Sequence, residues 1–351
     1  MRDRTALAVL RALAAVADNK LKPVAQTTAD KLVAAGVAEP PWAAAIGHPE
    51  FLDCWMAADP FGDQQGYYLR FRYPGRATHL LMALYDENLG GIIKDSFVGE
   101  VAPGSDPRRS AESQTDVAVS DVDAGVAAGR IARALATGDL FIDNDWSPEF
   151  RETRALLAAR LKLLPPAPPL DPEPEPLDDE TGAALVEEFL ASPQAPAVGE
   201  ALSIVYHCLE ARCDYGDGDP LRWSPIVVEL FMLDYLPRKA LLKAAEADAL
   251  PEVLTAWVRF ALSKRGLAEP LIVETEDAVG DFTSEYLETV RQPANFGPAK
   301  AMLVALEAAG IDLTDQQAID AWVAAFNARP RDERDAIMGA SPLLDDSDPA
   351  V

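Results

Sequence analysis

The stretch CDYGDGDPLRWSP, Cys213 to Pro225, concentrates three aspartates, two glycines, an arginine and a tryptophan. Carboxylates this dense can coordinate a hard cation, and an EF-hand loop is the best-defined way to do it. That loop needs oxygen ligands at positions 1, 3 and 5, glycine at 6 and glutamate at 12. Counting from Asp214 puts Gly216 at 3, Asp219 at 6 and Pro225 at 12; counting from Asp217 puts Leu221 at 5 and Val228 at 12. Both registers fail. His207, Cys208, Cys213 and Asp214 match no zinc spacing either. The stretch reads better as a turn leading into a helix. Ser224 suits the N-cap, Pro225 the first helical position, and Trp223 can pack on Val228 as a hydrophobic staple. Asp217, Asp219, Arg222 and Trp223 are then expected to form a contact surface or to brace the helices; no metal or cofactor is implied.

A second candidate set lies in the strand-like segments FLDCWMA (51–57) and GIIKDSFV (91–98). Side chains alternate across a strand. Strict alternation puts Phe51, Asp53, Trp55 and Ala57 on one face, and Ile93, Asp95 and Phe97 on another. A carboxylate held among apolar groups titrates abnormally unless paired, and such groups are enriched at functional sites. Asp53 or Asp95, with Lys94 or a nearby arginine, therefore makes a candidate hydrolytic set; the plainer expectation is that the two aspartates pair with arginines across strands or sit at the sheet rim. The metal-dependent nuclease pattern of acid-x-Lys fails at Lys94, because Ile92 stands where the acid is needed. There is no GxxxxGK[ST], GxGxxG after a strand, GxSxG or HExxH, and only His48, His79 and His207 are available.

The net charge of −26 disfavours binding to nucleic acid or anionic membrane and suits a basic partner protein. Three cysteines in 351 residues point to a reducing, cytoplasmic compartment, and no apolar run reaches the length of a membrane span. Arginine outnumbers lysine 22 to 9, as GC-rich bacterial genomes tend to dictate.

These residues need elements to position them. Seven prolines between Pro165 and Pro176 block helix and sheet, so 163–178 reads as an extended linker. Before it, the expectation is an α+β domain over 1–162. Helices are predicted near 3–18 and 24–35, four strands at 51–57, 67–73, 79–85 and 91–98 as an antiparallel meander, a polar loop over 101–119, and two closing helices near 123–136 and 148–162. After it, an all-α bundle is expected over 179–339, with helices near 179–191, 196–211, 224–235, 239–248, 251–265, 269–291, 297–309, 314–328 and 331–338. Gly266 and Gly310 sit where helices stop, and Thr314 with Gln317 spells a capping box. Residues 340–351 read as a disordered tail.

Three segments, DPFGDQQGYYLRFRYPG with DENLGGIIKDSF, GDGDPLRWSPIVVELFMLDYLPRK, and GPAKAMLVALEAAGIDLTDQQAIDAWVAAFNARP, resemble stretches of uncharacterised actinobacterial proteins. The resemblance implies no activity and no site residue. The leading expectation is a non-catalytic module that binds a protein or small ligand. The alternatives are a hydrolase using the sheet carboxylates and an acidic mimic of nucleic acid.

Overall fold

A computed structural model describes residues 2–141, 146–169 and 177–338. The chain divides into two compact units, Met1–Glu173 and Pro174–Val351.

In the first unit, helices α1 (Arg2–Val16) and α2 (Leu21–Ala34) form a hairpin. A five-stranded antiparallel sheet follows, built from β1 (Glu50–Ala58), β2 (Gln64–Arg72), β3 (Thr78–Asp86), β4 (Ile92–Glu100) and β5 (Ala118–Asp121), in the order β4-β3-β2-β1-β5. The first four strands are the expected meander. The fifth is an addition: the segment expected to be a loop holds a short helix, α3 (Pro107–Glu112), capped by Asp106, and the edge strand β5. Helices α4 (Ala124–Gly138) and α5 (Pro148–Leu161) cover one face of the sheet. Between them lies a core of Tyr67, Leu69, Phe71, Leu81 and Ile93 from the sheet against Ile131, Ala134, Phe150 and Leu157 from the helices. Each such side chain contributes about 1.5–3 kcal/mol on burial.

Two strands break the alternation predicted for them. In β1, Phe51 pairs with Phe71 and Asp53 with Arg70, leaving Leu52 as a bulge. In β4, Ile93 pairs with Tyr85 and Asp95 with Leu84, leaving Lys94 as a bulge. An extra residue reverses the parity of all that follow. Phe51, Cys54 and Met56 therefore pack on the helix-covered core, so Phe51 does not share a face with Asp53 and Trp55. Likewise Ile93 belongs to that core, whereas Phe97 is 47% exposed.

Of the expected linker 163–178, residues 170–176 lie outside the described residues, as does the expected tail 340–351. Leu164 is buried in the first unit's core. Residues 165–169 are exposed, and the Pro166 carbonyl passes 2.8 Å from where a side chain on Gly125 would begin.

The second unit has no strand among its described residues; its helices are α6 (Asp179–Leu190), α7 (Ala201–Cys213), α8 (Pro225–Glu229), a π-helical turn (Leu230–Tyr235), α9 (Leu236–Arg238), α10 (Ala244–Arg265), α11 (Glu269–Thr289), a 3-10 turn (Pro293–Asn295), α12 (Pro298–Ala308), α13 (Gln316–Asn327) and α14 (Arg331–Met338). The core is organised around Trp257 of α10, with Phe189, Ile204, Val228, Val279 and Tyr286. A second small core joins Ala301 to Phe326, on which Trp322 stacks at 5.3 Å.

Two helices expected near 239–248 and 251–265 are one helix, α10, which carries Pro251 inside it. Proline has no N–H for the carbonyl four residues back. That carbonyl, Ala247 O, accepts instead from the Tyr286 hydroxyl of α11 at 3.3 Å. The π turn stands immediately before Pro237, whose ring would crowd the carbonyl four residues back in a regular helix. Gly266 and Gly310 take positive φ of 77° and 70°, as helix stops do. The predicted Thr314 cap gives way to Asp315, whose carboxylate accepts from Ala318 N–H at 3.1 Å. No helix among the described residues is long and apolar enough to cross a membrane.

Candidate functional site

The turn between α7 and α8 is built on charge. Arg212, in the last turn of α7, and Arg222 both donate to the carboxylate of Asp217, one to each oxygen. All three side chains are buried, at 8%, 5% and 9% exposure. Gly218 adopts φ 86° and its N–H donates to Arg212 O at 3.0 Å. A side chain on Gly216 would begin 2.7 Å from the same carbonyl, so both glycines are dictated by backbone geometry. Trp223 is fully buried, donates from Nε1 to Pro220 O at 3.0 Å, and meets Phe231 edge-to-face at 5.4 Å. The Ser224 hydroxyl accepts from Val227 N–H at 3.1 Å, with Pro225 at the first helical position. Of the four residues singled out here, only Asp219 reaches solvent; its carboxylate accepts from Leu221 N–H at 2.9 Å and lies 3.9 Å from Arg265 Nε. The arrangement braces two helices.

The sheet residues do not converge. Asp53 is held by Arg70 through both carboxylate oxygens, and Arg70 lies over the Trp55 ring at 5.7 Å, with Tyr68 stacked on Trp55 at 5.3 Å. Asp95 accepts from the Ser147 hydroxyl at 2.9 Å, the same hydroxyl that caps α5 by accepting from Phe150 N–H. Lys94 reaches Asp86 at 3.2 Å, at the β3–β4 turn. The strands β1 and β4 are three positions apart in the sheet, which is about 14 Å at the usual strand spacing. Asp53 and Asp95 thus share no hydrogen-bonding reach and form no joint hydrolytic set.

Thiol chemistry is also disfavoured: burial pushes the Cys54 and Cys213 thiols up to about 11 each, and Cys208 is raised further by complete burial. Among the described residues no group of three or more His, Cys, Asp or Glu side chains could hold a metal ion.

The feature that sequence reading missed is α11. It carries seven acidic residues and no lysine or arginine. Arg259 of α10 binds two of them, Glu269 at 2.9 Å and Glu276. The other five, Glu274, Asp277, Asp281, Glu285 and Glu288, are all exposed and have no ion pair among the described residues. At about 100° per residue they fall within an arc of about 80°. The 3-4-4-3 spacing was legible in the sequence, hidden by reading the segment only for its apolar stripe.

Comparison with protein-family models, with curated proteins and with solved structures finds no match. The site must be weighed on its own chemistry.

That chemistry is unfavourable to the helix alone. Four neighbouring like-charge pairs along the stripe cost on the order of 1–2 kcal/mol together. Glu285 and Glu288 also face the negative end of the helix dipole, where cations belong. Val273 and Leu287, 38% and 37% exposed, flank the stripe near its two ends.

Proposed function

We propose that this protein is a non-catalytic binding module that docks a basic partner protein on the acidic face of α11. The observation that carries this reading is the row of five exposed carboxylates without counter-ions among the described residues, on a helix that contains no basic residue. A scattered acidic surface would keep the protein soluble without concentrating repulsion on one helix. Lysine or arginine side chains from a partner would relieve that repulsion, and Val273 and Leu287 would add apolar contact at the ends.

The charge density favours a protein partner over mimicry of nucleic acid. Five carboxylates along the helix give one charge per about 5 Å, against one per about 1.7 Å for duplex DNA.

The test is binding of a fluorescent deca-lysine peptide to the full chain, followed by anisotropy. Reversing Asp277, Asp281 and Glu285 to lysine is expected to weaken binding by about tenfold or more, beyond the effect of bulk charge. Reversing Glu180, Glu187 and Glu229, which are exposed acids on other helices, supplies the control with equal net charge. Equal losses in the two triple variants would leave only a general electrostatic attraction and dispose of the site.

A further inference from the structure

A cavity of about 440 Å³ opens in the N-terminal hairpin. Three elements wall it. Helix α1 contributes Arg11, Ala14 and Ala15; α2 contributes Lys22 and Gln26, one turn apart on one side; residues 39–48 fold back as the third wall. That wall is a compact run of turns in which Ala43, Ala45 and His48 N–H groups donate to Pro40, Trp42 and Ala45 carbonyls. Gly47 turns it back at φ 86°, in contact with α1, where a side chain would begin 3.4 Å from Ala15 Cβ. Arg11 ties the walls together, reaching Glu39 and, at 2.9 Å, Asp30.

The walls divide by chemistry. Alanines, Pro40, Pro41 and Ile46 make an apolar surface. Lys22, Gln26 and His48 project polar groups that have no side-chain partner among the described residues. The size lies within the range of small-molecule sites, which pair apolar lining with a few polar anchors.

A second, independent observation concerns sign. Arg160 of α5 is 5% exposed, and among the described residues its guanidinium makes one hydrogen bond, from Nη2 to the Tyr73 hydroxyl at 2.9 Å. It lies over the Phe71 and Tyr73 rings at 5.6 and 5.7 Å, and no carboxylate among the described residues pairs with it. Buried charge without a counter-ion is expensive. The same Tyr73 hydroxyl accepts from Gly47 N–H at 3.3 Å, so this uncompensated cation stands directly behind the cavity wall. A ligand placed between Lys22 and that wall has a cation on either side of it, while the one carboxylate of the lining, Glu39, is engaged by Arg11.

We propose that this cavity is a binding site for a small organic carboxylate with an apolar body, its anion held by Lys22 and by the field of Arg160, with Gln26 and His48 as hydrogen-bonding partners. The proposal does not depend on the acidic face of α11, which belongs to the other unit.

The test uses benzoate as the probe and benzamide as its neutral match, with amide chemical shifts recorded on the full chain. Benzoate is expected to give saturable shifts among residues 11–48, and benzamide to bind about tenfold more weakly or worse. Lys22→Met is expected to weaken benzoate by about tenfold, while Lys22→Arg keeps it within about threefold. Because Lys22 is exposed, neither variant threatens the fold. Arg160→Met is expected to weaken benzoate several-fold without moving the shifted set. Equal affinity for benzoate and benzamide, saturable shifts centred elsewhere, the absence of saturable shifts, or an unchanged affinity in Lys22→Met would each overturn the assignment.

Discussion

Asp53 and Asp217 are both gripped by arginine through two oxygens, yet they do different work because their surroundings differ. Asp53 and Arg70 are 44% and 31% exposed on the sheet, where water competes for both charges. Asp217 is 9% exposed and shared by two arginines that are buried as deeply. An exposed pair is worth little, whereas removing one member of a buried set leaves charge stranded away from water. Arg160 and Lys300 extend the contrast to cations with no carboxylate partner among the described residues. Lys300, 4% exposed, donates to Leu236 O at 3.1 Å and Pro237 O at 2.9 Å and sits 4.3 Å from the Phe296 ring centre. It closes off carbonyls at the end of a helix, which is where a cation is favoured. Burial is thus handled in three ways: by an internal counter-ion, by backbone dipoles and rings, or, at Arg160, by rings and a single hydroxyl.

The sharpest break of this comparison is Asp217→Asn. It withdraws the buried carboxylate that Arg212 and Arg222 both grip, and the expected loss is about 3–5 kcal/mol in urea unfolding. A loss under about 1 kcal/mol would put the triad in the same class as an exposed pair. Next comes Lys300→Met. Burial pushes the Lys300 ammonium down from 10.5 to about 8. Below about pH 8 it is protonated in both folded and unfolded chains, and the burial penalty is fully present. Between about pH 8 and about pH 10.5 the folded chain sheds its proton while the unfolded chain keeps it, so stability rises with pH. Wild type minus Lys300→Met should therefore grow across that window, by on the order of 3 kcal/mol at most. A flat difference would mean that the two carbonyls hold the ammonium charged. The smallest effect is expected for Asp53→Asn, within about 1 kcal/mol and diminishing in high salt. A loss as large as that of Asp217→Asn would erase the distinction between the two aspartates.

Local signals carried most of the elements. Ser147 with Pro148, Ser224 with Pro225, Gly266 and Gly310 all mark helix ends as their chemistry requires, and the meander's turns are set by their glycines. The failures have identifiable causes. Leu52 and Lys94 bulge out of their ladders, and nothing in FLDCWMA or GIIKDSFV announces an unpaired residue; parity downstream was therefore reversed. The strand β5, AVSD, is a polar segment that pairs because β1 offers it an edge, which is a tertiary effect. Pro251 stays within a helix because Tyr286, 35 residues later, serves the abandoned carbonyl. At the candidate sites, the turn around Asp217 was legible as a helix lead-in, but the burial of its charges was not. The cavity lined by Arg11, Lys22 and His48, backed by Arg160, gathers residues spread over most of the first unit, and no spacing rule connects them.

The π-helical turn at Leu230–Tyr235 has a further consequence. A wide turn of this kind holds one residue more than regular winding requires. Deleting a single residue from it would restore regular winding and leave the upstream faces nearly where they are, with Trp223 and Val228 still buried and Ile226 and Leu230 still exposed. Deleting one from the regular turn beside it, in α8, would instead rotate everything upstream by about 100° about the axis. The π turn is thus a place where length can be given up without turning the helix, at the cost of crowding the Pro237 ring against a carbonyl.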